Sequence, residues 1–155
     1  MTRIALRWTG DRGVGTADYT AYGREHEITA PEKTPIAGSS DPRFRGDPVR
    51  WNPEELLLGA ISACHQLWYL PLCADAGIVV TDYRDEAEAA LTLDAAGEGR
   101  ITAATLRPVV TIVAGDAALA ESLHDAAQRR CFIARSVAFP VRHEAVILTN
   151  PVCSR

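Results

Sequence analysis

The chain has 155 residues, of which 47% are hydrophobic and 23% are charged, values close to those of ordinary globular domains. Its formal net charge at pH 7 is -4, and this acidic balance argues against a nucleic acid or an anionic membrane as partner. The length suits one domain that buries a core of its own. We therefore predict a single domain over residues 1–150 and a frayed C-terminal tail over residues 151–155.

The first fifty residues predict strands followed by a long loop. Strand-like runs occupy residues 3–9 and 14–30, and the segment Gly10 to Gly15 has the composition of a hairpin turn. From Ala30 to Trp51 the chain is rich in Pro, Gly, Ser, Asp and Arg, which predicts a long loop, and long ordered loops are often functional. The loop also brings cations just ahead of the next element: Arg43, Arg45 and Arg50.

A long apolar helix is predicted next, from Pro53 to about Ala76. Asn52 is a good N-cap, a proline suits the first helical position, and Glu54 and Glu55 complement the helix dipole. Polar residues interrupt the apolar stretch, so we expect a core helix that falls short of a membrane span. Four side chains at helical spacing predict its main apolar stripe: Leu57, Ile61, Cys64 and Trp68.

The second half of the chain predicts strands on both sides of a second helix. This helix covers residues 117–130 and begins after the N-cap Asp116, and a short helical turn follows Cys131. The predicted strands cover residues 78–84, 87–96, 100–113 and 141–149. The order βββ-α-βββ-α-β predicts an α+β fold in which two apolar helices are covered by sheet.

Two of the four cysteines are a candidate redox pair. Cys64 lies on the apolar stripe of the first helix, and Cys131 follows Arg129 and Arg130 at the end of the second. A thiol reacts as its thiolate, and a nearby cation or a helix N-terminus lowers its pKa. The N-terminal residues lack the apolar core of a secretory signal, so we expect a cytoplasmic location in which the thiols start reduced and any disulfide is transient.

Other interpretations of these residues stay open. A free cysteine on an apolar stripe is often an inert core residue, and we interpret Cys73 in this way. His65 allows a zinc site with Cys73 and Cys131, or a Cys-His nucleophile with the cysteine before it. Adjacent helical positions diverge by about 100°, which argues against the Cys-His nucleophile, and the lack of a Cys-x-x-Cys pair argues against zinc. Trp68 and Phe132 either line an apolar substrate pocket or belong to the core.

Three motifs carry a resemblance to a known family. In chain order they are Trp8-Thr9-Gly10 with Gly13-x-Gly15-Thr16, Arg43-Phe44-x-Gly46, and Asn52-Pro53-Glu54-Glu55-Leu56 followed by Ala63-Cys64. With a second cysteine in a late helix and the predicted order of elements, the likeness covers nearly the whole chain. On these residues the chain resembles the OsmC/Ohr family of thiol-dependent hydroperoxide reductases.

The resemblance implies an intertwined homodimer in which central helices are wrapped by two sheets. It also implies reduction of organic hydroperoxides in oxidative stress defence, without a cofactor or a metal, followed by recovery with a thiol reductant such as a dithiol carrier. Carried over by position, the attacking thiol is Cys64 and the resolving thiol is Cys131. The motif glutamate falls on Glu54 and the arginine on Arg43, with Arg45 as the alternative.

The residue types suit this chemistry. A cation keeps a thiolate ionised and holds a peroxide in line, and the planar fork of arginine does so better than lysine. The sulfenic acid formed on the first thiol condenses with a second thiol before over-oxidation. Glu54 and Cys64 are ten residues apart, or about 15 Å along one helix. We therefore predict a site shared across a two-fold axis, with dimerisation as a condition of activity.

Two positions differ from the family pattern. His65 stands where the family usually has Phe, and Cys131 is followed by Phe132-Ile133-Ala134 where the family tends to have Pro-x-Ser. These differences motivate two alternatives to an enzyme. One is an OsmC-like module that binds a small apolar or thiol-bearing ligand, and the other is a structural stress-associated dimer without a reactive thiol.

Overall fold

The computed structural model describes residues 2–150. The predicted tail over residues 151–155, which contains Cys153, lies outside the described residues. The chain divides into two compact units, Met1–Leu56 and Leu57–Arg155, and each is described by itself. The prediction of a single domain stays a prediction.

The first unit is built on a small antiparallel sheet. Its strands, in order across the sheet, are β1 (Ala5–Trp8), β2 (His26–Thr29) and β3 (Ile36–Gly38). β1 and β2 pair from Ala5 opposite Thr29 to Trp8 opposite His26. A short 3-10 helix over Pro42–Phe44 lies within the predicted loop. The strand predicted at the start of the chain is therefore confirmed.

The segment between β1 and β2 forms turns where part of the second strand-like run was predicted. Asp11 accepts hydrogen bonds from the backbone N–H groups of Gly13 and Gly15, both at 2.9 Å, and both glycines have positive φ. Asp18 accepts from the backbone N–H and the hydroxyl of Thr20. Aspartates that capture nearby backbone donors compete with strand pairing. The strand prediction is wrong here, and the third strand lies instead within the predicted loop.

The first helix, α1, spans Pro53–Asp75. Its start is closed by two reciprocal hydrogen bonds, from the Glu55 N–H to Asn52 Oδ1 at 2.8 Å and from the Asn52 N–H to Glu55 Oε2 at 3.0 Å. This capping box satisfies two backbone donors that the helix leaves free. Gly77, with φ of 71°, ends the helix in the left-handed conformation that glycine favours. The predicted cap and bounds are confirmed.

The buried face of α1 differs from the predicted stripe. Its buried side chains follow one another at intervals of four residues: Ile61, His65, Tyr69 and Cys73. Cys64 is half-buried beside this face, whereas the prediction placed it on the main apolar stripe. The prediction weighed only apolar side chains, and the stripe that packs inward includes an imidazole and a phenol. The prediction that Cys73 is a core residue is confirmed, because its side chain is 1% exposed.

Six strands of the second unit form two sheets of the same design. One sheet has the order β4 (Val79–Asp85), β7 (Pro108–Ala114), β9 (Val146–Thr149), and the other has the order β5 (Glu88–Leu93), β6 (Gly99–Leu106), β8 (Val141–His143). In each sheet the first pair is antiparallel and the second pair is parallel. The strands predicted over residues 78–84 and 87–96 are confirmed.

Two longer predicted strands are each divided between the two sheets. The run over residues 100–113 breaks at Arg107, and the run over residues 141–149 breaks at Glu144. The Arg107 N–H donates to Asp85 Oδ1 at 2.6 Å instead of to a neighbouring strand, and its guanidinium donates to Glu144 Oε2 at 3.0 Å. Arg107 and Glu144, at which the two runs break, are therefore in contact. Because each run forms two strands, the predicted number of strands is too low.

The second helix, α2, spans Ala117–Arg130. The carboxylate of Asp116 accepts a hydrogen bond from the Leu119 N–H at 2.8 Å and caps its start. Cys131 is the C-cap, and the predicted helical turn follows as a 3-10 helix over Ala134–Ser136. Two helices and several sheets confirm the predicted α+β class.

Two clusters of buried side chains form the core of the second unit. The first lies between α1, α2 and the sheet of β4, β7 and β9: Tyr69, Cys73, Ile78, Val110, Ile112, Ala120 and Ala127. The second joins α1 to β6 and β8: Ile61, Ala104, Leu106 and Val141. The first cluster thus joins α1 to α2, and the second joins α1 to the other sheet.

By length and composition alone, α1 is apolar enough to cross a membrane, contrary to the expectation from its polar residues. Core helices of soluble proteins satisfy the same criterion. His65 and Tyr69 of α1 make buried hydrogen bonds to α2, as side chains do in a helix that packs on protein.

Candidate active site

The thiols of Cys64 and Cys131 are in contact in the second unit. Cys64 lies within α1 and is half-buried, whereas Cys131, at the end of α2, is buried. The two side chains lie close enough for Cys64 to contribute to the raised pKa of Cys131, and both cysteines are free thiols. The fold thus brings together two residues that lie sixty-seven positions apart in the sequence.

The two thiols lie in different environments. Burial raises the pKa of Cys131 to about 11, and the Ala134 N–H, which donates to Cys131 Sγ at 3.3 Å, acts in the opposite direction. Cys131 is therefore a neutral thiol at neutral pH, and a thiolate is the form that attacks. Cys64 is the more exposed of the two. This difference suits the predicted division of roles between attacking Cys64 and resolving Cys131, which stays a prediction.

Trp68 and Phe132 form an aromatic wall next to the cysteines in sequence and in space. Their rings meet edge to face, with centroids 5.7 Å apart, and the guanidinium of Arg130 lies 5.9 Å from the Trp68 centroid. Phe132 is 65% exposed. An exposed aromatic ring directly after Cys131 offers an apolar surface to a ligand.

In the first unit, Arg43 lies on the short 3-10 helix and is mostly exposed. Its guanidinium donates to both carboxylate oxygens of Asp41, with Nε to Oδ1 at 2.9 Å and Nη2 to Oδ2 at 3.0 Å. The hydrogen bond and the charge of Asp41 raise the pKa of Arg43, and the charge of Glu54 contributes in the same direction. The carboxylate that holds Arg43 is thus Asp41, while Glu54 acts on it through charge.

The other two arginines of this loop have separate surroundings. Arg45 caps the end of the 3-10 helix with φ of 66°, and its charge lowers the pKa of Asp18 after the larger effect of Thr20. Arg50 forms an ion pair with Asp47 at 3.6 Å. The choice between Arg43 and Arg45 as the functional arginine stays a prediction.

A buried pair of histidines, with a third beside it, begins directly after Cys64 in the sequence, and it was not among the predicted site residues. His65 Nε2 and His124 Nδ1 are 2.9 Å apart, and Tyr69 stacks on His124 with centroids 3.8 Å apart. His143 lies next to both rings, with centroids 5.8 and 5.6 Å away, and its Nε2 lies 3.0 Å from Asp125 Oδ1. Within the described residues, His124 Nε2 is buried without a hydrogen-bond partner.

One signal in the sequence could have found this cluster. His65 falls four residues after Ile61 and four before Tyr69, and His124 falls between Ala120 and Ala127 at the same kind of spacing. Each histidine therefore completes an inward-facing helical stripe. Two helices that each carry a histidine on the inward-facing stripe predict a buried histidine pair.

The alternative of a zinc site is not supported by the geometry. Among residues 2–150, the structure contains no group of three or more His, Cys, Asp or Glu side chains arranged to hold a metal ion. His65 contacts His124 rather than a cysteine, because its side chain points to the buried face of α1 while Cys64 lies beside that face. The same divergence argues against a Cys-His nucleophile.

The fold is similar to solved structures over nearly its whole length. An OsmC-like protein of unknown function from Vibrio cholerae is 26% identical, with a TM-score of 0.84, and 94% of this chain and 100% of that chain are covered. An organic hydroperoxide resistance protein from Elizabethkingia anophelis is 14% identical, with a TM-score of 0.65 and coverages of 97% and 98%. The organic hydroperoxide resistance protein OhrB of Bacillus subtilis is 19% identical, with a TM-score of 0.61 and coverages of 94% and 96%. Curated proteins show no match to the chain.

The sequence also matches the model of one protein family. That family is described as OsmC-like protein, and the match covers residues 46–145, more than half of the 155 residues. The matched region contains the capped start of α1, both cysteines of the contact pair and most strands of the second unit. The chain therefore belongs to the OsmC family.

Proposed function

We propose that the chain is a cysteine-based peroxidase that reduces organic hydroperoxides in oxidative stress defence. The observation that carries the proposal is the contact between the thiols of Cys64 and Cys131. Membership of the OsmC family and the likeness in fold to organic hydroperoxide resistance proteins support the same class of reaction.

The proposed reaction has three steps. The Cys64 thiolate attacks the outer oxygen of the hydroperoxide, an S–O bond forms, the O–O bond breaks, and the leaving alkoxide takes a proton to become an alcohol. The Cys131 thiol then attacks the Cys64 sulfenic acid, which releases water and forms a disulfide. Two thiols of an external reductant, such as a dithiol carrier, reduce this disulfide and are themselves oxidised.

Arg43 and Glu54 are proposed to assist the first step. The Arg43 guanidinium keeps a thiolate ionised and donates hydrogen bonds to the peroxide oxygens, and Glu54 acts on it through charge. The bond between Arg43 and Asp41 lies at an exposed position, where such pairs are weak. The arginine is therefore free to exchange this partner for a substrate oxygen.

We propose Trp68 and Phe132 as the substrate-binding wall. An organic hydroperoxide carries an apolar group next to its O–O bond, and the exposed ring of Phe132 provides an apolar contact surface for it. A small polar peroxide would gain nothing from this surface. The proposed substrate class is therefore organic hydroperoxides in preference to hydrogen peroxide.

We propose that the active form is a homodimer in which α1 is covered by the second copy. Only 22% of the most apolar 18-residue stretch of α1 is buried. Leu67 of this helix is 66% exposed. A helix this apolar requires a covering surface. A second copy of the chain supplies this surface. Sedimentation equilibrium measures the mass of the protein in solution, and we expect twice the mass of one chain.

A cytoplasmic location fits the proposal, because the reduced thiols and the external reductant both need a reducing compartment. Cell fractionation with an antibody against the chain tests this location. Recovery in a periplasmic or membrane fraction would contradict it.

Two alternatives to the enzyme are kept, because His65 and the residues after Cys131 differ from the family pattern. An OsmC-like module that binds a small apolar or thiol-bearing ligand would use the aromatic wall without turnover. A structural dimer would use neither the wall nor the thiols.

A thiol count distinguishes the enzyme from both alternatives. The chain has four cysteines, and unfolded protein is titrated before and after one equivalent of cumene hydroperoxide. The peroxidase loses two thiols per chain and regains them with dithiothreitol. Cys73→Ser is the matched control, because Cys73 is a buried thiol outside the proposed pair, and it should also lose two. An unchanged count in the wild type would leave only the binding or structural alternatives.

A further inference from the structure

Two histidines join the helices that carry the cysteine pair. His65 directly follows Cys64 on α1. His124 lies in the middle of α2, seven residues before Cys131, which caps the end of that helix. The atoms His65 Nε2 and His124 Nδ1 are 2.9 Å apart, and the side chains are 1% and 0% exposed. The contact therefore lies in the interior and links α1 directly to α2.

The contact is a hydrogen bond between two neutral rings. Burial lowers the pKa of His65 to about 4 and the pKa of His124 to about 3, so neither ring is charged at neutral pH. In a neutral pair, one nitrogen donates and the other accepts. A hydrogen bond is directional, so it restricts the spacing and rotation of two helices more narrowly than apolar packing does.

Tyr69 makes a second link of the same kind. Its hydroxyl donates to the Ala120 carbonyl at 3.1 Å, and its ring stacks on His124. Contacts along α1 in the order Cys64, His65, Tyr69 meet α2 in the order Cys131, His124, Ala120. The cysteine pair thus lies at one end of a row of side chains, of which His65 and Tyr69 make hydrogen bonds between the two helices.

We propose that the His65–His124 hydrogen bond is a positioning device for the cysteine pair, which holds α1 against α2 at the spacing where the thiols of Cys64 and Cys131 meet. The inference deepens the proposed function, because a resolving thiol must reach the sulfenic acid before it is oxidised further. The Phe that the family usually has in place of His65 lacks the nitrogen for this bond.

The test measures how readily the two thiols form a disulfide, without any peroxide. In a glutathione buffer, the thiols of Cys64 and Cys131 react with oxidised glutathione to give one protein disulfide and two molecules of reduced glutathione. The equilibrium constant has the unit of concentration and reports how closely the thiols are held. Mass spectrometry after acid quench and alkylation gives the fraction of chains with the Cys64–Cys131 disulfide.

Two double variants separate the hydrogen bond from the volume of the rings. His65→Leu with His124→Leu removes the bond. His65→Gln with His124→Asn rebuilds it with amides, because glutamine carries polar atoms at the depth of Nε2 and asparagine at the depth of Nδ1. His143→Gln is the control, since His143 contacts the same rings but pairs with Asp125.

We expect the leucine pair to lower the equilibrium constant about three- to tenfold, the range that one net hydrogen bond supplies. The amide pair and the control should stay within about twofold of the wild type. If the leucine pair does not fold by circular dichroism, His65→Phe replaces it with the same expectation. Equal constants for the wild type and the bond-removing variant would overturn the inference.

The outcome is distinguishable from a failure of the proposed function. A wild type that consumes no hydroperoxide, but whose disulfide constant falls in the leucine pair, would remove the peroxidase and keep the positioning device. If the wild type and the leucine pair consume hydroperoxide equally well and have equal disulfide constants, the peroxidase stands and the positioning device is ruled out.

Discussion

The guanidinium of Arg43 is bound by Asp41, two residues before it, through hydrogen bonds of 2.9 and 3.0 Å. Glu54, the carboxylate that the sequence motif assigns to this arginine, adds only its charge. Asp41 also accepts the backbone N–H of Arg43 at 2.7 Å, so it is the cap of the short 3-10 helix as well. The carboxylate that pairs with this arginine thus comes from its own loop, at an exposed position where the guanidinium can exchange it for another partner.

From this arrangement we expect Arg43→Ala to slow hydroperoxide reduction at least about tenfold, because the cation that stabilises the developing alkoxide is lost. Stability should change by less than about 1 kcal/mol, because exposed ion pairs contribute little. Stopped-flow kinetics and urea unfolding measure the two effects. Arg45→Ala and Arg50→Ala are matched controls, and we expect each to slow the reaction less. If Arg45→Ala slows hydroperoxide reduction strongly and Arg43→Ala does so only slightly, the role belongs to Arg45.

Mixed dimers test whether the site is shared between subunits. Glu54→Gln and Cys64→Ser chains should each be inactive alone, and we expect a mixture to regain about one working site per heterodimer. The reason is that Glu54 and Cys64 lie ten residues apart on α1, or about 15 Å along its axis. Activity after verified subunit exchange is the measurement, and its absence would count against the shared site.

Loss of the resolving thiol should stop turnover after one cycle. We expect Cys131→Ser to consume one equivalent of hydroperoxide and then fail to turn over with a dithiol, because nothing intercepts the sulfenic acid on Cys64. Mass spectrometry should show sulfenic acid at Cys64 after one equivalent of hydroperoxide and sulfinic acid after a second equivalent, whereas the wild type shows a Cys64–Cys131 disulfide. Normal turnover in the variant would exclude Cys131 as the resolving thiol.

The histidine pair predicts that stability decreases in mild acid. The pKa values of His65 and His124 are lowered to about 4 and about 3 in the folded state, but they return to about 6.5 on unfolding. Below pH 6.5 the unfolded chain therefore binds protons that the folded chain does not, and this favours unfolding. The loss should begin near pH 6.5 and continue to about pH 4, with up to about 1.4 kcal/mol per pH unit for each histidine.

Urea unfolding from pH 8 to pH 4 measures this dependence. The control is His65→Gln with His124→Asn, in which neither residue titrates, so its stability should fall less over the same range. His143, Asp125 and Asp85 also act on the pair through their charges, and they are unchanged in the control. Parallel curves for the two proteins would contradict the prediction.

The local structure around α1 followed from the sequence alone. The cap at Asn52, the acidic first turn and the stop at Gly77 depend on residues within a few positions of one another, and all are present in the structure. The α+β class likewise followed from the order of periodic segments. Helix caps depend on hydrogen bonds between residues a few positions apart, so the sequence was enough to predict them.

Other features needed the tertiary structure because they depend on residues far apart. The break at Arg107 is made by Asp85 and Glu144, which no local pattern connects to it. The inward stripe of α1 runs through His65 because His124 supplies a hydrogen-bond partner from another helix. The proximity of Cys64 and Cys131 is of the same kind: the sequence predicted these two thiols as a pair, and only the packing of α1 against α2 decided that they lie close together.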